Sequence, residues 1–328
     1  MFEKVGIQIT DSFINIIYGN KNKIIAADSI ELEKGICDDG SIIVEKAVAN
    51  KINNFFIESN VNIKKISFVI SGTDIITRYT EVPIMADKAL RETIYLEFSQ
   101  FIPDIDNYYM DYEILGKVNS KEKRVYQIML VAVPKEKINS LVKVTEMLNK
   151  KVDSIDILSN SLIRPLKKST YTSGNGAVGV FYLGVDTSSF TIIENNVFKI
   201  ERALPFGIKN LFIESYDEIA ATVLVDNNVD LKEVLEQNQR FQNSFENILS
   251  TINNTLRYYN SQRNNEKVEK LVIVCGQNTI AGLDAYFEKY FNIPCLLIKN
   301  PKDIDLKVNF QDGFNKYMAT YGLLLRGN

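Results

Sequence analysis

A strand–turn–strand signature occurs twice in this chain, and no other feature limits its possible folds as tightly. The first copy is Val5-Gly6-Ile7-Gln8-Ile9-Thr10-Asp11-Ser12-Phe13-Ile14-Asn15-Ile16-Ile17-Tyr18. Apolar residues alternate on both sides of a tight turn at Thr10-Asp11-Ser12, the period-two pattern of a β-hairpin. The second copy, Val178-Gly179-Val180-Phe181-Tyr182-Leu183-Gly184-Val185-Asp186-Thr187-Ser188-Ser189-Phe190-Thr191-Ile192-Ile193, follows about half a chain later. Each copy leads into a third strand-like run, over residues 23–32 and 196–204. Two three-strand units imply a duplicated α/β domain pair with a cleft between the copies, the usual place for a ligand in such proteins.

With 328 residues the chain has room for two domains, each with its own core. Its net charge of -3 and the lack of a long basic run give no footprint for nucleic acid. Cys37, Cys275 and Cys295 are odd in number and have no metal-ligand spacing, which fits a reducing cytoplasm. The absence of histidine removes His-based triads, general bases and metal ligands together. Met1-Phe2-Glu3-Lys4 opens no signal sequence, and no apolar run approaches the roughly 20 residues of a spanning helix. The expectation is a cytoplasmic protein without direct membrane insertion.

After the first unit, residues 42–58 read as a helix with Val44, Val48, Ile52, Phe55 and Phe56 on one face. Strands follow at 65–71 and 75–82. Residues 81–157 then form an inserted α+β subdomain: a helix with the stripe Leu90, Ile94, Phe98 and Phe101, a hairpin over 108–133, a helix from Pro134 to about 150, and a strand returning at 152–157. Residues 169–176, dense in Ser, Thr, Gly and Asn, mark an exposed linker between halves. The first half is therefore set at 1–168 and the second at 177–328, with a helical subdomain at about 206–265 and a long helix over 243–263. A last helix over 313–326, with small residues Ala319 and Gly322, is expected to pack back on the first half.

The ordered blocks Gly6-Ile7-Gln8-Ile9-Thr10-Asp11-Ser12, Glu81-Val82-Pro83-Ile84-Met85, Gln100-Phe101-Ile102-Pro103 and Val131-Ala132-Val133-Pro134-Lys135 cover the first half. Asp153-Ser154-Ile155-Asp156, Leu183-Gly184-Val185-Asp186-Thr187-Ser188-Ser189, Cys275-Gly276-Gln277-Asn278-Thr279-Ile280-Ala281-Gly282-Leu283 and Ala319-Thr320-Tyr321-Gly322-Leu323 continue to the end. In order and spacing they resemble the PilM family of type IV pilus assembly proteins. The resemblance implies an actin-like, FtsA-related α/β fold, a duplicated ribonuclease-H-like pair with the inserted subdomain. It also implies a cytoplasmic adaptor at the inner face of the membrane. Its partner would be the N-terminal cytoplasmic peptide of a PilN-like single-pass membrane protein, beside other pilus inner-membrane proteins and self-association.

In that superfold, Asp-x-Gly in the first hairpin organises Mg²⁺ and its turn amides face phosphates. The second hairpin repeats the motif, and a glycine-rich strand end holds adenosine. This chain departs from the pattern: Gln8 and Tyr182 stand at the acid positions and Thr10 at a glycine, while Gly184 survives. Asp11 and Asp186 lie near the two turns and are the candidates to replace the lost charge. Ser12, Thr187, Ser188, Gly276, Gln277 and Asn278 complete a candidate nucleotide cleft. Taken alone, Thr10-Asp11-Ser12 reads as a plain hairpin turn; the duplicated context makes it a remnant cleft. Weak or absent Mg-ATP binding is expected, with no catalytic residue, no hydrolysis and no metal site in the protein itself.

The insert is crowded with aromatic residues. Most belong to a small core, but Tyr95, Phe98, Tyr108 and Tyr109 are candidates for a surface groove, sought between helix 87–100 and the hairpin over 70–81. The alternatives to an adaptor are an active ATPase or kinase on the same fold, a division-type actin relative that touches membrane, and a type II secretion or competence-pilus assembly homologue.

Overall fold

The computed structural model describes residues 3–120, 123–167, 169–173, 176–195, 197–211, 229–231, 235, 239–261, 267–310 and 313–327. The first half carries β1 (Lys4–Ile9), β2 (Phe13–Asn20), β3 (Lys23–Glu31), β4 (Cys37–Asp38), β5 (Ser41–Ile42), α1 (Glu45–Glu58), β6 (Lys65–Ile70) and β7 (Ile76–Pro83). It continues through α2 (Asp87–Ser99), β8 (Tyr108–Ser120), β9 (Lys123–Pro134), α3 (Lys135–Met147), β10 (Lys151–Ile157) and α4 (Leu158–Leu166). The second half carries β11 (Ala177–Leu183), β12 (Ser188–Glu194), β13 (Val197–Leu204), α5 (Ile208–Leu211), β14 (Val229–Asp230) and α6 (Gln239–Ser261). Then come β15 (Val268–Cys275), β16 (Ile280–Ala281), α7 (Leu283–Phe291), β17 (Cys295–Ile298) and α8 (Phe314–Leu324).

The duplication is visible in the pairing. One five-stranded sheet runs β3-β2-β1-β6-β10 and the other β13-β12-β11-β15-β17, each an antiparallel trio extended by parallel strands. β1 and β11 sit at the centres of their sheets, and all seven residues of β11 are buried. A strand covered on both faces needs a near-continuous apolar run, which is what these sequences supply.

α8 lies against β1, β2, β6 and α4 of the first half and also reaches β15. Its small residues are required by this approach. A Cβ on Gly322 would lie 1.9 Å from the Ser161 carbonyl oxygen, and one on Gly6 would lie 2.7 Å from that of Thr320.

The insert is a three-stranded sheet, β7-β9-β8, with α2 on one face. Leu90, Ile94 and Phe98 of α2 pack on Ile128, Leu130 and Ala132 of β9. Three expectations change here. β7 joins the insert rather than the first sheet, because its whole length from Ile76 to Pro83 pairs with β9. Periodicity identified a strand there but not its partner. At the other end α3 packs on α1 and β10 joins the first sheet, so the insert's sheet ends at Pro134. The segment around 169–173 is not an open linker: Ser169 and Thr172 are buried, and the Tyr171 hydroxyl donates to the carbonyls of Leu271 and Pro294. Much of the helical subdomain expected over 206–265 lies outside the described residues; within them, α6 begins at Gln239.

β7 also touches the second half. The Tyr79 ring stacks on Phe198 of β13 at 5.9 Å, and its hydroxyl donates to Glu201 at 3.4 Å. Burial pushes the Glu201 carboxyl above its ordinary range, partly offset by the hydroxyls of Thr77 and Tyr79. A carboxyl whose pKa rises on folding contributes stability below its unfolded pKa and loses it as pH rises through the folded value. Glu201→Gln is therefore expected to be more stable than the wild type at neutral pH, with the difference vanishing toward acid. Urea unfolding across pH checks this, and a constant difference at every pH would contradict it.

Candidate functional site

The first hairpin turn and the second meet across the cleft. On its floor the Gln8 amide donates to the Tyr182 hydroxyl at 3.2 Å, and both side chains are buried. Burial pushes the Tyr182 phenol up to about 12, so it stays neutral. Its ring explains two glycines of the sequence. A Cβ on Gly276 would stand 2.2 Å from the Tyr182 hydroxyl, and one on Gly184 would stand 2.2 Å from the Thr187 carbonyl and 2.9 Å from the tyrosine ring.

Both aspartates accept hydrogen bonds from the protein's own donors. Asp11 accepts the backbone N–H groups of Asp39 at 3.0 Å and Gly40 at 2.8 Å. Burial pushes its carboxyl above the usual range, the Gly40 amide pulls it back, and the nearby Asp186 carboxylate adds to the push. Asp186 crosses the cleft and takes both the amide and the hydroxyl of Ser12, at 3.1 and 2.6 Å. Thr10 is used within its own turn, its hydroxyl oxygen accepting from Phe13 N at 3.0 Å.

A further bridge between the halves is Gln277, which donates to Asn15 of β2 at 3.3 Å and to Ser29 of β3 at 3.1 Å. Asn315 of α8 holds the carbonyls of Cys275, at 2.8 Å, and Gln277. Asn15, Ser29, Lys209 and Asn315 were not singled out from the sequence. The signal for Asn15 was available, since it is a polar residue inside the apolar run of β2. Gln8 Oε1, Ser188 Oγ and Asn278 Nδ2 are buried polar atoms without a hydrogen-bond partner among the described residues. Thr187 and Ser188 border a separate cavity of about 310 Å³ facing Ser71 and Gly72.

A second candidate site lies beside the insert. A cavity of about 600 Å³ runs between the β8 and β9 face of the insert and β10, α3 and α4 of the body. β8 is an edge of the insert's sheet and β10 an edge of the first sheet, so two unpaired strand edges border it. Strand parity sets its lining: Ile128, Leu130 and Ala132 face α2, while Met129, Val131 and Val133 face the groove. On the body side Asp156 pairs with Arg164 and lies 3.8 Å from Arg326.

The four aromatics expected to line a groove do not share this one. α2 covers the opposite face of the insert's sheet. Phe98 is fully buried in the insert's own core, Tyr108 packs against that core, and Tyr95 is exposed on α2 away from the groove. Of the four aromatics named, Tyr109 lines it.

Among the described residues no helix is long and apolar enough to cross a membrane, and no cluster of His, Cys, Asp or Glu is placed to hold a metal ion. No curated protein sequence matches the chain. Among solved structures, one described as the "PilM-PilN type IV pilus biogenesis complex" superposes with a TM-score of 0.85 at 17% identity, covering 99% of this chain and 98% of that one. The ethanolamine utilization protein EutJ from Carboxydothermus hydrogenoformans gives 0.57 at 10% identity, over 100% and 90% of the two chains. MreB5 of Spiroplasma citri bound to ADP gives 0.52 at 9% identity, over 98% and 94%. These likenesses establish the actin-like α/β fold. The family described as "Type IV pilus assembly protein PilM" matches residues 6–328, and the chain belongs to that family.

Proposed function

We propose that this chain is a non-catalytic adaptor of type IV pilus assembly that holds an extended segment of a PilN-like membrane protein in the groove between β8 and β10. The observation that carries the reading is that two unpaired strand edges, β8 and β10, border one groove whose lining includes Met129, Val131 and Val133. A strand edge presents a row of free N–H and C=O groups to an extended peptide. Alternate side chains of such a peptide would point to the floor formed by Met129, Val131 and Val133. The family match supports the pilus role, and the similar PilM-PilN complex supports the class of partner. Through that partner the protein would be held at the inner face of the membrane.

Fluorescence anisotropy with a labelled N-terminal peptide of the PilN-like protein tests this. Tyr109→Asp places a charge at the groove mouth and is expected to weaken capture about tenfold or more. Tyr95→Asp, on the far side of the insert, is expected to leave it unchanged. Loss with Tyr95→Asp and none with Tyr109→Asp would move the site to α2.

We infer also that the cleft binds Mg-ATP weakly or not at all and does not hydrolyse it. Gln8 and Tyr182 bring no charge to a metal, and Asp11 and Asp186 are engaged by the protein itself. The residues present therefore do not fit the group that the fold ordinarily takes. Calorimetric titration tests binding and phosphate release tests turnover; submicromolar, Mg-dependent binding would overturn this reading.

A further inference from the structure

The second hairpin turn places a carboxylate against the first. Asp186 Oδ2 accepts the Ser12 amide at 3.1 Å and Asp186 Oδ1 accepts the Ser12 hydroxyl at 2.6 Å, so both oxygens are used. Lys209 of α5 completes the group, its Nζ donating to Ser12 Oγ at 3.2 Å and standing 3.5 Å from Asp186 Oδ1. The Asp186 side chain is 9% exposed and Ser12 8%, so water competes little for the bonds between them, while Lys209, 40% exposed, caps the group from its open side. A turn amide, a hydroxyl and an ammonium converging on two oxygens form an oxyanion site. Here an oxyanion from the other half of the same chain fills it.

We propose that the Asp186 carboxylate is a tethered stand-in for a phosphate, which clasps the two halves without nucleotide and blocks the Ser12–Lys209 site to inorganic phosphates. The proposal rests on the reading of the cleft as one that does not take Mg-ATP, and it names the group that closes it. A tethered anion acts at an effective concentration on the order of millimolar or above, so a free phosphate must outcompete a group that never leaves. The clasp does not stand alone. Gln8 with Tyr182 bridges the halves on the cleft floor, and Gln277 with Asn15 and Ser29 bridges them again.

The test is pyrophosphate binding by calorimetry, without metal, on the full chain. Asp186→Ala is expected to bind pyrophosphate about tenfold or more tightly than the wild type, as the loss of a competing charge-assisted hydrogen-bonded group requires. Adding Lys209→Met to that variant is expected to remove the gain. An Asp186→Ala protein that folds but binds no better overturns the proposal while leaving the adaptor reading intact. Wild-type protein that binds and turns over Mg-ATP defeats the reading on which the proposal rests. A measurement on the unaltered protein guards against a variant that does not fold. The Ser12 amide is expected to exchange its hydrogen about a hundredfold or more slowly than an open turn, and exchange at the open-turn rate overturns the clasp.

Discussion

Lys137→Ala is expected to lower the free energy of unfolding by about 2–3 kcal/mol, because two carbonyls and a partly exposed carboxylate lose the buried ammonium that holds them. Lys137 lies in the first turn of α3, and its side chain is 1% exposed. Its Nζ donates to the carbonyls of Asp39 at 2.6 Å and Ser71 at 3.1 Å and to the Asp74 carboxylate at 2.6 Å. All three donor positions are therefore used, as a buried ammonium requires. The surrounding loops are shaped to it. Gly72 has φ +152 and a Cβ there would stand 2.1 Å from the ammonium, while Gly40 has φ +73. Lys137→Met keeps most of the volume and removes the charge, so a similar loss in both variants assigns the effect to the lost cation rather than to a cavity. Urea unfolding measures it; a loss of less than about 1 kcal/mol in Lys137→Met would show that the carbonyls find water instead. The same lysine ties the groove to the cleft. Its neighbour Ile138 lines the groove, and the Asp39–Gly40 backbone beneath it holds Asp11 of the first turn.

The duplicated hairpins were legible because two apolar runs joined by a short turn are a local signal, and β1 pairs with β2 and β11 with β12 as antiparallel neighbours, although these strands are buried on both faces rather than alternating. Gly322 was legible as a close approach to the first half, whereas Gly184 and Gly276 read only as motif positions, and nothing in the sequence showed that the Tyr182 ring packs against both. Gln8 and Tyr182 were noticed as replacements of acids. Their bond to each other, and that of Ser12 to Asp186, join residues far apart in the chain and leave no periodic trace. The insert shows the same limit on a smaller scale. Both faces of β9 are apolar, so the run Ile128-Met129-Leu130-Val131-Ala132-Val133 gives no sign of which face meets α2 and which meets the groove. Aromatic density drew attention to Phe98, whose side chain α2 turns inward, where a count of strand parity along β8 singles out Tyr109. Lys137, charged and at the start of a helix, reads as a surface residue until the loops around it are placed.

Restoring both acids, Gln8→Asp with Tyr182→Asp, is expected to destabilise the protein by about 4 kcal/mol or more without producing ATP hydrolysis. Tyr182 is 4% exposed and Gln8 1%, and the tyrosine ring fills the space between Gly184 and Gly276. Removing the ring leaves a cavity, and the two new carboxylates face each other where one neutral hydrogen bond stood. Two carboxylates in one buried cleft cannot both ionise without cost, so one is expected to hold a proton at neutral pH. A metal between them would relieve the repulsion. Its phosphate ligand would still meet Asp186 on the Ser12 amide and hydroxyl, and Gln277 would still be bound to Asn15 and Ser29. Changing two motif positions is therefore not expected to build a site while the surrounding loops hold these other partners. Urea unfolding reads the stability loss, and phosphate release with and without Mg²⁺ reads the chemistry. A doubly substituted protein as stable as the wild type, with Mg-dependent turnover, would mean that the cleft had kept its catalytic geometry beneath the tyrosine.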